Sequence, residues 1–207
     1  MVMMNFYQNQ ILPQLIDRAM RRRDLSEYRN RVISAAEGRV LEIGIGSGLN
    51  LPFYPATVQR VIGLDPSRQL LAIARDAAQR TSTPIEFIET SAETIPLSDR
   101  SVDTVVTTWT LCSIPDPTQA LGEMRRVLRP GGCLLFVEHG RAPDIGVRWW
   151  QDRLTPSWKH LSGGCHLNRA ISEMIESAGF RFERLAVGYL HGRNPMAFMY
   201  EGAARPN

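Results

Sequence analysis

The chain has only three cysteines, Cys112, Cys133 and Cys165, and no two of them form a CxxC pair. So sparse and odd a set excludes a disulfide-built scaffold, and 207 residues with 43% hydrophobic content bury a core without one. A reducing, cytoplasmic compartment is the expectation. No stretch approaches the roughly 20 consecutive apolar residues that span a bilayer. The chain does not open with the basic start, apolar stretch and small-residue cleavage site of a secretory signal. Secretion and membrane spanning are therefore not expected. There is no long Lys/Arg block, and the net charge is only +3, so nothing forms a track for nucleic-acid phosphates. Repeats, low-complexity tracts and long linkers are also missing, which leaves a single domain over residues 1–207.

What is present is an alternation of short apolar runs and amphipathic segments. Residues 40–43, 61–64, 85–88, 102–108 and 133–137 read as buried strands. Between them, residues 69–79 carry Leu70, Leu71, Ile73, Ala74 and Ala77 at helical spacing, and residues 118–128 form a second helix closed by Arg129-Pro130-Gly131-Gly132. A helix over 167–178, stopped by Gly179, precedes strands near 180–187 and 196–201. Alternation of this kind predicts an α/β fold with a parallel sheet and helices on both faces. Ahead of the sheet, Ile11, Leu12, Leu15, Ile16, Ala19 and Met20 make one apolar stripe in a helical cap over residues 1–37. Its basic end, Arg18 and Arg21 to Arg23, is either solvated or in peripheral contact with an anionic membrane surface.

The run Val40-Leu41-Glu42-Ile43-Gly44-Ile45-Gly46-Ser47-Gly48 is an apolar strand that opens into a glycine turn. Glycines at alternate positions let main-chain N–H groups approach a ligand where a Cβ would collide. A second strand ends at Asp65, an ionised acceptor suited to ribose hydroxyls. A dinucleotide fingerprint needs a sixth-position glycine or alanine, and that position is Leu49. Taken alone, a glycine-rich turn is also an ordinary strand-to-helix connection. The flanking acids at Glu42 and Asp65 distinguish this one.

The spacing acid-x-Gly-x-Gly-x-Gly resembles motif I of the class I S-adenosylmethionine-dependent methyltransferases, in the type 11 group. The resemblance extends to Ser91-Ala92-Glu93-Thr94-Ile95-Pro96 and to Leu128-Arg129-Pro130-Gly131-Gly132, in the family's order. It implies a doubly wound, Rossmann-like, seven-stranded, mostly parallel sheet whose last strand is antiparallel, and S-adenosylmethionine as cofactor. By the same resemblance Glu42, Gly44, Gly46 and Gly48 hold the methionine end, and Asp65 the ribose. Ser91, Ala92 and Glu93 flank the adenine, with the Ala92 amide as its contact, and Thr108 borders the methyl group. Without the resemblance, residues 89–99 are a polar turn.

Val137-Glu138-His139, Thr155-Pro156-Ser157-Trp158 and Gly164-Cys165-His166-Leu167-Asn168-Arg169 resemble a narrower group, the methyltransferase-like alkyl-thiol S-methyltransferases. Thr155 stands where that group has aspartate, and its N-terminal hydrophobic anchor has no counterpart in this reading. The expected function is methyl transfer to a small, partly apolar acceptor, with a thiol favoured. The alternatives are phosphatidylethanolamine, a quinone precursor, or a non-catalytic cofactor-binding module. Residues 140–166 are expected to form a lid or substrate insertion carrying Trp149, Trp150 and Trp158, with Trp109 nearby. His139, just past the fifth strand, is the candidate proton acceptor, with Glu138 orienting it. A histidine merely hydrogen-bonded at a strand end is the competing reading. Cys112 is read as packing. His160, Cys165 and His166 lack a fourth ligand at defined spacing, so no metal is expected.

Overall fold

The computed structural model describes residue 7 and residues 11–207; the rest of the expected helical cap, residues 1–6 and 8–10, lies outside the described residues. The order is α1 (Leu12–Met20), α2 (Arg23–Ile33), β1 (Gly38–Ile43), a 3-10 turn at Leu51–Phe53, β2 (Val58–Leu64), α3 (Arg68–Ala78) and β3 (Ile85–Ile88). Then come β4 (Val102–Thr108), α4 (Pro117–Val127), β5 (Leu128–His139), α5 (Ile145–Leu161), α6 (Ile171–Ser177), β6 (Phe180–Tyr189) and β7 (Phe198–Pro206). The seven strands form one sheet in the order β3-β2-β1-β4-β5-β7-β6. The first five pair in parallel, and β7 is antiparallel to both β5 and β6. The chain therefore adopts the mostly parallel α/β sheet with an antiparallel last strand, and that strand sits inside the sheet with β6 at the edge.

Both faces of the central strands are covered, which is why they read as unbroken apolar runs rather than alternating ones. Neighbouring residues on a strand point to opposite faces. Val105 joins a core with Leu121 and Met124 of α4 and Ile171 and Ile175 of α6. Val106 joins the opposite one, with Val32 and Ile33 of α2 and Leu71 of α3. Helix starts follow local chemistry: the Ser67 side chain accepts from the Leu70 N–H, and Asp116 accepts from Gln119 N–H ahead of Pro117. At the far end of α6, Gly179 takes φ +83°, which stops the helix.

Among the boundaries that differ from the sequence reading, three shift most at one end. β5 begins at Leu128 and takes in the Pro-Gly-Gly segment, β7 runs on to Pro206, and α6 starts at Ile171 rather than 167. The larger departure is in residues 140–166, where α5 is a 17-residue helix with Pro156 inside it. Proline removes the donor that would have met the Asp152 carbonyl, yet the helix continues to Leu161; the Thr155 hydroxyl just before it donates to the Gln151 carbonyl at 2.7 Å.

Gln151 fixes this helix to the sheet. It is fully buried; its Oε1 accepts from Ala142 N–H, and its Nε2 donates to the Gly140 and Pro195 carbonyls, all at 2.9 Å. Gln151→Met would strand one donor and two acceptors in the interior. Urea denaturation should show a loss of about 3 kcal/mol, since each orphaned buried polar group costs about 1–3 kcal/mol.

Candidate active site

β1 ends at Ile43, and the chain turns through Gly44, whose φ is +67°. A Cβ there would run into the Thr110 side chain, so the close approach of the turn to the segment after β4 requires glycine. Next in the turn, the Gly46 N–H donates to Asp65 Oδ2 at 3.0 Å, and the Ser67 N–H donates to Oδ1 at 2.8 Å. Two of the carboxylate's acceptor positions hold the backbone, and the remaining ones are free for a ligand. Burial raises the Asp65 pKa, and the two amides pull against that rise without cancelling it.

These groups open onto a cavity of about 550 Å³. Of the residues singled out in the sequence, Gly44, Gly46, Asp65, Ser91, Ala92, Glu93 and Thr108 line it. His139, Trp109 and Trp158 line it as well. Glu93 also ties its own loop to the start of α4, accepting from Asp116 N–H at 3.1 Å, while its carbonyl accepts from Gln119 Nε2 at 2.9 Å.

Four expected site residues are not on the wall. Glu42 is buried behind it, its carboxylate accepting from Asn50 Nδ2 and Tyr54 Oη, each at 2.7 Å. Asn50, which also donates to Thr108 Oγ1 at 2.9 Å, is the residue that meets the cavity. Gly48 instead lets the turn pack on Leu51 and Ala74. Trp149 and Trp150 lie on the outer side of α5, 47% and 52% exposed, edge to face with each other at 4.7 Å, with Arg153 over Trp149. Helical rather than loop geometry accounts for this: Trp158 lies about two and a half turns beyond Trp149 and so faces inward where Trp149 does not.

The structure also brings in residues that the sequence reading did not assign. Asp17 and Arg29, from α1 and α2, line the cavity, so the two helices ahead of the sheet form a wall as well as a cap. Arg29 is 3% exposed, with its guanidinium 4.7 Å over the Trp109 ring. Burial lowers its pKa to about 10 against the pull of Glu42, which leaves it cationic at neutral pH. No sequence signal marked it, because it looks like one more arginine on a polar helix.

Cys112, His139 and Cys165, which also line the cavity, meet. His139 Nε2 lies 3.1 Å from Cys165 Sγ. Burial pulls the His139 pKa down, but the Cys165 contact and the Glu138 charge together carry it above the usual value. The neighbouring Cys112 thiol and burial push Cys165 far above the ordinary thiol range. Glu138 does not hydrogen-bond to His139. Its Oε1 accepts from Thr107 Oγ1, Thr110 N–H and Leu111 N–H at 2.8, 3.0 and 3.2 Å, because adjacent strand residues point apart. His160 is not part of this group, and His166 touches only the Cys112 carbonyl, through Nδ1 at 3.3 Å.

Burial pushes Glu42 up to about 7, with the Tyr54 and Asn50 hydrogen bonds opposing. The folded chain thus holds this proton more tightly than the unfolded chain, whose group titrates near 4.5. Stability from this residue is complete below about pH 4.5 and falls as pH rises toward 7, by on the order of 3 kcal/mol. Melting of the cofactor-free protein across that range should show the decline, and Glu42→Gln should flatten it.

A family model described as "Methyltransferase domain" matches residues 41–136. Human thiol S-methyltransferase TMT1B is 39% identical over 154 residues, 72% of this chain and 63% of that protein. The chain thus spans less than two thirds of the length of that relative. Demethylmenaquinone methyltransferase of Thermus thermophilus is 32% identical over 152 residues, 70% of this chain and 69% of that one. A solved S-adenosylmethionine-dependent methyltransferase of Thermotoga maritima superposes with a TM-score of 0.69 at 21% identity, covering 97% of this chain and all of that one. With the fold shared along nearly its whole length and identity of 32% spanning more than two thirds of the Thermus relative, the chain belongs to the class I S-adenosylmethionine-dependent methyltransferases.

Proposed function

We propose that this chain transfers a methyl group from S-adenosylmethionine to a small, partly apolar thiol. The observation that carries the reading is the single cavity running from the glycine turn and Asp65 to the pocket of Cys112, His139 and Cys165. A volume of about 550 Å³ is ordinary for a cofactor and a small partner together.

The residues fit the cofactor's charged groups. Arg29 Nε, Asp17 Oδ1 and Asn50 Oδ1 are buried at the cavity without hydrogen-bond partners among the described residues. A guanidinium, a carboxylate and an amide oxygen are suited to the carboxylate and ammonium of a methionine moiety. Asp65 would take the ribose hydroxyls, and the Ala92 backbone would face the adenine. When bound, the cofactor supplies an electrophilic methyl on a cationic sulfur.

At the acceptor end the walls are mainly apolar, with Leu12, Ile16, Ile114, Leu167 and Trp158 excluding water. A free thiol with a pKa near 8.5 is already a few per cent ionised at neutral pH, so positioning matters more than a strong base. His139 is the group placed to receive the remaining proton. The human relative is a thiol S-methyltransferase, which supports the same acceptor. One observation favours a lipid amine as the second reading: Leu15, 51% exposed on the cavity-wall helix α1, stands on the same helix as Arg18, with Arg21 and Arg22 following. Among the described residues no helix is long and apolar enough to cross a membrane.

A labelled-methyl screen over small thiols, phenols, amines and phosphatidylethanolamine vesicles should label thiols at least about tenfold faster than the other classes, a difference of roughly 1.4 kcal/mol in barrier. Preferential labelling of the vesicles would move the assignment to lipid, and saturable cofactor binding without transfer to any class would leave a binding module. Arg29→Met should weaken cofactor binding about 10- to 100-fold by calorimetry through loss of a charge-assisted contact. His139→Ala should lower kcat about 100-fold while leaving cofactor affinity unchanged.

A further inference from the structure

Cys112, His139 and Cys165 come from three separate segments, yet their donor atoms all lie within 4.8 Å of one another. Each is fixed by a different element. Cys112 lies in a turn whose Thr110 and Leu111 amides bind the Glu138 carboxylate. His139 is the last residue of β5. Cys165 follows Gly163 and Gly164, with φ of +68° and +93°, and the next residue's N–H, from His166, donates to the Cys112 carbonyl at 2.9 Å. The Arg169 guanidinium bonds the Leu111 carbonyl and so adds a positive charge beside the cluster. Both cysteines are free and buried, and all three residues line the cavity.

Tetrahedral zinc, with Zn–S near 2.3 Å and Zn–N near 2.0 Å, sets its sulfurs about 3.8 Å apart and each sulfur about 3.5 Å from the nitrogen. The cluster's spacing, including the 3.1 Å between His139 Nε2 and Cys165 Sγ, needs only side-chain adjustments to meet that geometry. Two sulfurs and an imidazole select a soft or borderline ion over magnesium or calcium. Three protein ligands facing a cavity leave one corner of the tetrahedron for an exogenous ligand.

We propose that Cys112, His139 and Cys165 bind a zinc ion at the acceptor end of the cavity, with its fourth position open to the acceptor's sulfur. The metal site rests on the cluster alone, while the identity of its fourth ligand rests on the thiol reading above. A thiol taking that corner releases its proton to solvent. Its sulfur then forms the new bond to the methyl carbon as the sulfonium C–S bond breaks, leaving a thioether and S-adenosylhomocysteine. The uncharged thioether is the weaker zinc ligand and departs. His139 Nε2 then serves as a ligand, and the role of proton acceptor belongs to the metal-free chain. The sequence set metal aside because it offered His160, Cys165 and His166; the fold assembles a different trio.

The test uses the full chain kept reduced with a phosphine, loaded with cobalt(II) and then zinc(II). One equivalent of cobalt should give the visible bands of a four-coordinate ion and a near-ultraviolet sulfur-to-cobalt band, both bleached by zinc. Cys112→Ser, Cys165→Ser and His139→Gln should each lose that spectrum, while Cys133→Ser keeps it. In the unaltered protein, zinc should shield Cys112 and Cys165 but not Cys133 from iodoacetamide, read by peptide mass spectrometry, so the test stands even if a variant fails to fold. Absence of the sulfur-to-cobalt band, its survival in both cysteine variants, or alkylation of Cys112 and Cys165 unaffected by zinc would overturn the site. A cobalt spectrum that small thiols perturb and simple amines do not supports the open corner. The full metal signature with no thiol methylation in the screen would uphold the site and remove only the thiol reading.

Discussion

The cavity depends on a buried carboxylate that never touches it. Glu138, fully buried in β5, gathers the Thr107 hydroxyl and the Thr110 and Leu111 amides onto one oxygen. Hydrogen bonds to a charged group contribute about 1.5–3 kcal/mol each, enough to hold the turn after β4 against Trp109, which sits at φ +52° where non-glycine residues are strained. Thr110 and Cys112 of that turn, with Thr108 and Trp109 just ahead of them, line the cavity. Glu42 plays the corresponding part on β1, holding Asn50 and Tyr54. Both acids behave as internal props, and the groups they hold make the contacts.

This arrangement explains what the sequence made legible. The strands were readable because burial on both faces leaves unbroken apolar runs, and the glycine turn because the positive φ at Gly44, Gly46 and Gly48 is a demand of the turn itself. Asp65, directly after β2, stood out as an acid closing an apolar run. The antiparallel last strand came from the resemblance rather than from any period in the residues. Glu42 was singled out as a cofactor-binding acid, and its residue type alone could not show that it would be buried behind Asn50.

The parts that were not legible depend on long-range assembly. The length of residues 140–166 and their tryptophans suggested a lid or insertion, whereas the buried Gln151 anchors a helix that turns Trp149 and Trp150 outward. Asp17 and Arg29 look like surface residues of polar helices until those helices are laid across the mouth of the sheet. The Cys112, His139 and Cys165 cluster has no spacing to detect, because its members follow β4, end β5 and follow α5.

The place of β7 inside the sheet has a consequence for how the molecule folds. His139 pairs with Met199, so the rim that carries the imidazole is completed by the strand made last of the seven. Between β5 and β7 the chain runs through α5, α6 and β6, so the second edge of β5 is closed by a strand far away in sequence. The acceptor end therefore rests on a non-local pairing, whose loop-closure entropy must be met before its contacts repay it.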